Sequence, residues 1–229
     1  LILKEGSLAM TTRKLYDDEL KELSSALIRM GAMAIDAVSR SMQALKTFDK
    51  QLAKEIIEDD ANINAMERDI ETMCLKLILK QQPVATDLRK ISAAIKMITD
   101  IERIGDAASD IAEISMFHDD CSFPEIQNEV LNMAESAKEM LASAIDSYVT
   151  GDLDLAAKTI AKDDVVDDFF IKIRNELASR IYKDAQEMDT VIDYLMIIKY
   201  LERIGDHAVN ICEWVQFYVT GIHIDERII

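Results

Sequence analysis

Proline and glycine are scarce in this chain, with two Pro and six Gly among 229 residues. These residues mark the tight turns of sheet-rich domains, so their scarcity argues against a fold of many short strands. Hydrophobic residues make up 49% of the chain and charged residues 30%, which is enough apolar material for a buried core. The sequence therefore predicts a few long helices joined by short connections.

Positive charge is also in short supply. Lys and Arg number 26 against 43 Asp and Glu, which gives a formal net charge of -17. Nucleic-acid binders and proteins that lie on anionic membranes need clusters of basic side chains, so both classes are excluded. This charge favours cations, or basic patches on other proteins, as partners.

Long apolar runs and paired cysteines are missing as well. No stretch reaches the roughly eighteen apolar residues that cross a bilayer, and no signal peptide is recognised. We therefore expect a cytoplasmic protein without direct membrane insertion. The three cysteines contain no CxxC pair, which indicates reduced thiols. Cys74 and Cys212 fall in apolar helical patterns and are predicted to be buried.

Apolar residues at three- and four-residue spacing predict six long helices in two similar sets. The sets align by pattern, with Leu23 corresponding to Ile126. Asp49 is predicted to cap the second helix, and Gly151-Asp152 to close the fourth. We predict an all-α fold that is a tandem duplication of an antiparallel three-helix bundle.

The segment 118–124 is the only stretch that loses this periodicity and gathers helix breakers. It is the predicted linker between a first bundle over residues 10–117 and a second over residues 125–229. Residues 1–9 precede Met10 without a clear pattern. They are interpreted as an N-terminal extension, either native or introduced by cloning.

One pentapeptide occurs twice, as Glu102-Arg103-Ile104-Gly105-Asp106 and, unchanged, over residues 202–206. Residues four apart stack on one face of a helix, so each copy begins a column of oxygen donors. Like charges in such a column repel one another unless a cation lies between them. Hard oxygen ligands suit Mg, Ca, Mn or Fe ions. The columns predicted to bind metal are Glu102, Asp106 and Asp110 in the first repeat, and Glu202, Asp206 and Asn210 in the second.

Acidic residues also interrupt the apolar stripes of the second and fifth helices, at equivalent positions. We expect them to face the columns as a second row of ligands. Gly105 and Gly205 support this, because a mid-helix Gly costs about 1 kcal/mol against Ala and indicates close approach of a neighbouring helix or ligand. The second row is Asp60 and Asn64 in the first repeat and Asp163 and Asp167 in the second. In the second repeat, a register shifted by one residue, to Asp164 and Asp168, is left open.

Three other interpretations compete with regulatory metal binding, and one of them is a purely structural helical adaptor without metal. Arg103 or Arg203 would pair with the acids as ordinary surface ion pairs, and His207 is interpreted as a surface or packing histidine rather than a ligand.

An enzymatic alternative is a carboxylate-bridged di-iron oxidase or a metal-storage bundle. Such sites usually contain Glu-x-x-His, which does not occur in the sequence. No nucleophile–base pair or cofactor-binding loop is recognised, so we predict no catalytic residues and a protein that is not an enzyme.

These motifs resemble the PhoU family of phosphate-uptake regulators over essentially the whole chain from Met10. The resemblance rests on both E-R-I-G-D copies, on the duplicated three-helix unit, and on the segments Asp60–Asn64 and Asp163–Asp167. It implies metal ions bound by the acidic motifs, sometimes as iron or zinc clusters. The candidate ions are then Fe, Zn, Mn or Mg.

The resemblance further implies a cytoplasmic negative regulator of phosphate uptake and phosphate-starvation signalling. The implied partners are the ATPase subunit of a phosphate ABC transporter and a membrane sensor histidine kinase, and the protein is expected to be a homodimer or larger homo-oligomer. One departure matters. The first pentapeptide is flanked by Asp100 and Asp110 but the second by Tyr200 and Asn210, so the second site is expected to bind fewer or weaker metals.

Overall fold

A computed structural model of the chain describes most of its residues. Cys121, in the predicted linker, lies outside the described part. The backbone is described over residues 2–81, 83–119, 123–181, 187–223 and 226–227, and the side chains over residues 14–80, 83–119, 123–180 and 187–222.

The described residues form seven helices and a short C-terminal hairpin, which confirms the all-α prediction. No helix among them is long and apolar enough to cross a bilayer. In the hairpin, Ile222 pairs with Arg227 in antiparallel register. The elements are α1 Ile2–Thr47, α2 Lys50–Gln81, α3 Ala85–Ser115, α4 Pro124–Thr150, α5 Leu153–Ala161, α6 Asp163–Ile181, α7 Met188–Thr220, β1 Ile222–His223 and β2 Glu226–Arg227.

The fifth predicted helix differs from expectation, because it is divided at Lys162 into α5 and α6. The amide of Lys162 donates to the carbonyls of both Lys158 and Thr159, each at 3.1 Å, and this tightens the last turn of α5. The new helix starts at once with Asp163 and Asp164 in its first turn. Carboxylates are favoured at a helix N-terminus, so these acids support the restart.

The predicted ends of two other helices are confirmed. Asp49 Oδ1 accepts hydrogen bonds from the amides of Gln51 and Leu52, at 3.1 and 3.0 Å, and so caps α2. Gly151 follows α4 with φ of 68°, a left-handed conformation that glycine adopts without strain. Asp152 then caps α5 by accepting from the amide of Leu155 at 2.9 Å. The turns therefore follow from local chemistry that the sequence shows.

Helices α3 and α7 lie against each other at the centre of the molecule. Helices α1 and α2 pack on α3, while α4, α5 and α6 pack on α7. Contacts between α1 and α4 join the two repeats, and one hydrophobic core runs through both. Cys74 and Cys212 are buried in it as free thiols, as predicted. The two pentapeptides thus lie on the two central helices, each facing the second helix of its own repeat.

Candidate metal centre

The first acidic column lies on α3 where this helix packs against α2. A Cβ added at Gly105 would lie 2.9 Å from Ile63 Cδ1 and 3.5 Å from Asp60 Oδ1, so the missing side chain lets α2 approach closely. Asn64 Nδ2 donates a hydrogen bond to Asp60 Oδ2 at 2.8 Å. The structure therefore brings the second row of the first repeat to the column that contains Glu102.

The second column has the same construction on α7. A Cβ added at Gly205 would lie 2.9 Å from Asp163 Oδ1 and 3.4 Å from Val166 Cγ1. Asp163 is half-buried at this contact, whereas Asp164, Asp167 and Asp168 are exposed. The structure thus places Asp163, the counterpart of Asp60, against its column, and the predicted ligand Asp167 at the exposed surface of α6.

The acids of the first repeat lie close enough to repel one another electrostatically. Burial raises the pKa of Asp60, and the negative charges of Asp106 and Asp110 raise it further against the hydrogen bond from Asn64. Burial also raises the pKa of Glu102, again with help from Asp106. These carboxyl groups are close enough to disfavour each other's ionised forms, and a bound cation would reverse that cost.

The second repeat shows a larger effect at one residue. Burial raises the pKa of Asp163 to about 6, with further contributions from Asp167, Asp206 and Glu202. Burial also raises the pKa of Asp206, and Glu202 adds to this while Lys199 opposes it. Four carboxyl groups from α6 and α7 therefore share one electrostatic environment.

Two basic side chains partly neutralise the negative charge of the two columns. Arg103 Nη1 lies 3.0 Å from Asp106 Oδ2, and Arg103 Nε lies 3.4 Å from Glu102 Oε2. Lys199, rather than Arg203, forms an ion pair with Glu202. The ion-pair interpretation is thus confirmed for Arg103. Because the Arg103 and Lys199 side chains are 51% and 49% exposed, such pairs contribute little to stability.

The donor atoms of the first site fit a hard metal ion, but they do not yet surround one. In the part of the chain that the structure describes, no three His, Cys, Asp or Glu side chains are arranged to hold an ion. Asp60 Oδ1 and Asn64 Oδ1 are buried and accept no hydrogen bond, a cost that a cation would relieve. Arg103 contacts both Glu102 and Asp106, so a metal ion bound by these two carboxylates would compete with its guanidinium. The ligand assignments remain predictions.

Sequence reasoning missed a polar contact between the repeats. Asn210 Nδ2 donates to Asp100 Oδ1 at 3.0 Å, and His207 Nδ1 lies 2.9 Å from the same oxygen. The predicted ligand Asn210 therefore has its amide nitrogen engaged by α3, which leaves its carbonyl oxygen as the ligand atom. Tyr200 hydrogen-bonds Asp110 of α3, which opposes the effect of burial on the pKa of that carboxyl. Neither pairing leaves a signal in the sequence, because both join residues about a hundred positions apart.

His118 follows α3, at the start of the predicted linker, and it is buried in the structure. Its side chain is 8% exposed, with Nε2 3.3 Å from Asp193 Oδ2 and its ring edge-on to Tyr194. Burial raises the pKa of Asp193, and His118 opposes this shift. His118 lies at the end of the first repeat and belongs to the packing against α7, away from the acidic columns.

Comparison with known proteins identifies the same duplicated unit. The family model described as "PhoU domain" matches residues 27–115 and 130–215, one match in each repeat and together more than half of the chain. A phosphate-specific transport system accessory protein PhoU homolog from Clostridium acetobutylicum is 39% identical over 215 residues, which are 93% of this chain and 98% of that protein. The Escherichia coli accessory protein PhoU is 31% identical over 206 residues, which are 90% of this chain and 86% of that protein.

Solved structures agree with these sequence relatives. The crystal structure of PhoU from Pseudomonas aeruginosa superposes with a TM-score of 0.86 at 33% identity, covering 90% of this chain and 100% of that one. The phosphate transport system regulatory protein PhoU from Streptococcus pneumoniae gives a TM-score of 0.85 at 28% identity, covering 92% of this chain and 100% of that one. The family model, the sequence relatives and the fold agree, and the chain belongs to the PhoU family.

Proposed function

We propose that this protein is a metal-binding negative regulator of phosphate uptake and phosphate-starvation signalling. It acts in the cytoplasm, as a homodimer or larger oligomer, through contacts with the ATPase subunit of a phosphate ABC transporter and with a sensor histidine kinase. It performs no catalytic step of its own. Support comes from the relatives, which are named as accessory proteins of phosphate-specific transport.

One observation carries the metal-binding part of the proposal. In each repeat, an acid lies beside the mid-helix glycine of the repeated pentapeptide: a Cβ added there would lie 3.5 Å from Asp60 Oδ1 at Gly105 and 2.9 Å from Asp163 Oδ1 at Gly205. The same acids have raised pKa values because burial and neighbouring carboxylates disfavour their charge. The same repulsive arrangement of acids occurs in both repeats. It is better explained by the same kind of ligand bound in each repeat than by acids that merely face solvent.

The acidic side chains would act by holding metal ions at fixed positions on the surface. Asp60, Glu102 and Asp106 would ligate in the first repeat, and Asp163, Glu202 and Asp206 in the second. A bound metal supplies positive charge that neutralises these carboxylates. The surfaces of α3 and α7 would then meet a partner without the repulsion of a bare acidic column.

The first experiment measures metal and partner binding together. Wild type and the variant E102Q/D106N are purified without chelators from cells grown in high and low phosphate, and bound metals are quantified by elemental analysis. Co-purification of the transporter ATPase subunit is measured in the same samples. The control E125Q/D146N removes the same charge at exposed positions on α4.

We expect E102Q/D106N to lose metal and to retain less ATPase subunit at high phosphate, while the control matches wild type. Unchanged metal content in the column variant would refute the ligand assignment. Unchanged ATPase co-purification after metal loss would refute the link between metal and docking.

A further inference from the structure

An apolar ridge runs along the exposed face of the first half of α7. It consists of Met188, Ile192, Leu195 and Met196, which are 43, 49, 37 and 41% exposed. Their spacing of four, seven and eight residues places them on one face of the helix. Apolar residues that are exposed singly are normal, but a contiguous row of four marks an interaction surface.

The face of α7 that carries the ridge continues past Lys199 to the second acidic column. Residues separated by seven share a helical face, so Ile192 aligns with Lys199, and Leu195 with Glu202. Asp206 extends the same face one turn beyond Glu202. A partner that lies along α7 would meet about 12 Å of apolar surface, at 1.5 Å per residue, then Lys199, whose charge is paired with Glu202, and then the carboxylate of Asp206.

The first repeat does not have this ridge, although its central helix is otherwise equivalent. The corresponding positions on α3 are Leu88, Ser92, Ile95 and Lys96, of which Ser92 and Lys96 are polar. Leu88 and Ile95 are only partly exposed. Since the two helices share the pentapeptide but not the ridge, folding of the repeat does not require exposed apolar residues there.

We propose that the ridge docks an amphipathic helix of another protein, with apolar residues on one face and Lys or Arg beside them. The apolar residues would pack on Ile192, Leu195 and Met196, and the basic residues would meet the acids that surround the ridge, among them the exposed Asp189 on α7. The net charge of -17 favours a basic partner. A second copy of this chain carries the same negative charge, and its approach along Glu202 and Asp206 would be opposed.

This inference rests on the proposed function only in that the protein acts through protein contacts, and it does not require bound metal. It names the surface and the chemistry of one partner. Helix-in-groove and helix-on-helix recognition both use anchors at such spacing, three and four residues apart.

The test uses a dye-labelled synthetic helix of eighteen residues, with Leu at helical spacing on one face and Lys and Arg elsewhere. A second peptide keeps the Leu face and carries Glu in place of the basic residues. Binding of both is measured by fluorescence anisotropy to the full chain, to I192S/M196K, and to I171S. The double variant copies Ser92 and Lys96 of the first repeat, and Ile171 is a comparably exposed apolar residue, 47%, on α6.

We expect the basic peptide to bind wild type and I171S alike, and I192S/M196K at least tenfold more weakly. The acidic peptide should not bind. Equal binding of the basic peptide to wild type and I192S/M196K would overturn the proposal, as would equal binding of the two peptides to wild type. Self-association that is lost in I192S/M196K would assign the ridge to a second copy of the chain and also overturn it.

Two further measurements keep the outcome clear. Circular dichroism should show the same helical content for I192S/M196K and wild type, because both substituted side chains are exposed. Elemental analysis should show the same metal content, so a failure of ridge docking is distinguishable from a failure of metal binding.

Discussion

Asn210 on α7 donates a hydrogen bond to Asp100 on α3 at 3.0 Å. Tyr200 on α7 pairs in turn with Asp110 on α3. Positions 100 and 200 are equivalent in the two repeats, as are 110 and 210, so the position two residues before each pentapeptide meets the position four residues after the other. The central helices therefore run antiparallel, and the repeats are related by an approximate twofold axis near the two pentapeptide glycines.

Replacing Asp100 tests the first of these contacts. Asp100→Ala leaves the Asn210 amide and the His207 ring without their shared acceptor at a site that is 9% exposed. Loss of a partner for a buried polar group costs about 1–3 kcal/mol, so we expect the free energy of unfolding to fall by that amount in urea titrations. The exposed Asp189→Ala serves as control. Equal stability of D100A and wild type would show that the contact contributes nothing.

The two pentapeptide glycines should respond differently to alanine. In Gly105→Ala the new Cβ meets Ile63, which is 3% exposed and held in the core. Overpacking costs about 1–3 kcal/mol and outweighs the roughly 1 kcal/mol gained in helix propensity, so the variant should be less stable.

In Gly205→Ala the new Cβ first meets the carboxylate of Asp163, the far end of a half-buried side chain, rather than a residue held in the core. We expect unchanged or slightly higher stability by urea unfolding, but weaker Mn²⁺ binding at the second column in calorimetry. Equal destabilisation by both substitutions would contradict this account of the two contacts.

The pKa of Asp163 predicts a pH dependence of stability in metal-free protein. Its folded pKa is about 6 against an ordinary value of 3.8, so its protonation stabilises the fold fully below pH 3.8, and this contribution is lost as the pH rises through 6. Asp163→Asn should therefore become more stable relative to wild type as the pH is raised from 4 to 7. Partial exposure of Asp163 makes the change smaller than the pKa shift alone implies.

Thermal unfolding at closely spaced pH values, with chelator present, measures this difference. Asp164→Asn removes the same charge one residue further along α6, at an exposed position. The same pH dependence in D164N and D163N would show that the effect is general to the acidic surface and does not arise from the contact with Gly205.

The two columns should differ in affinity for Mn²⁺. The first has a third carboxylate in Asp110, whereas its counterpart Asn210 is neutral and already engaged by Asp100. We expect E102Q/D106N to remove the tighter phase of a calorimetric titration and E202Q/D206N to remove the weaker one. Loss of the tighter phase in E202Q/D206N alone would reverse the assignment.

Much of the architecture was predictable because it depends on local chemistry. The apolar spacing that identified the helices places Leu23 and Ile126 in the core, and each is fully buried. The cap at Asp49 and the turn at Gly151 were also predictable, since capping involves only neighbouring residues. The break at Lys162 was not, because a one-residue interruption preserves the apolar pattern on both sides.

The duplicated pentapeptide, the acid-rich composition and the helical periodicity are properties of the chain itself, and they determined the helical repeats and the identity of the candidate ligands. Only the tertiary structure decided that Asp163 rather than Asp164 contacts Gly205, that Asn210 reaches across to Asp100, and that His118 is buried. Sequence periodicity determines which face of a helix a residue occupies, but not which residue of another helix lies opposite. That choice depends on how helices distant in the chain pack side by side.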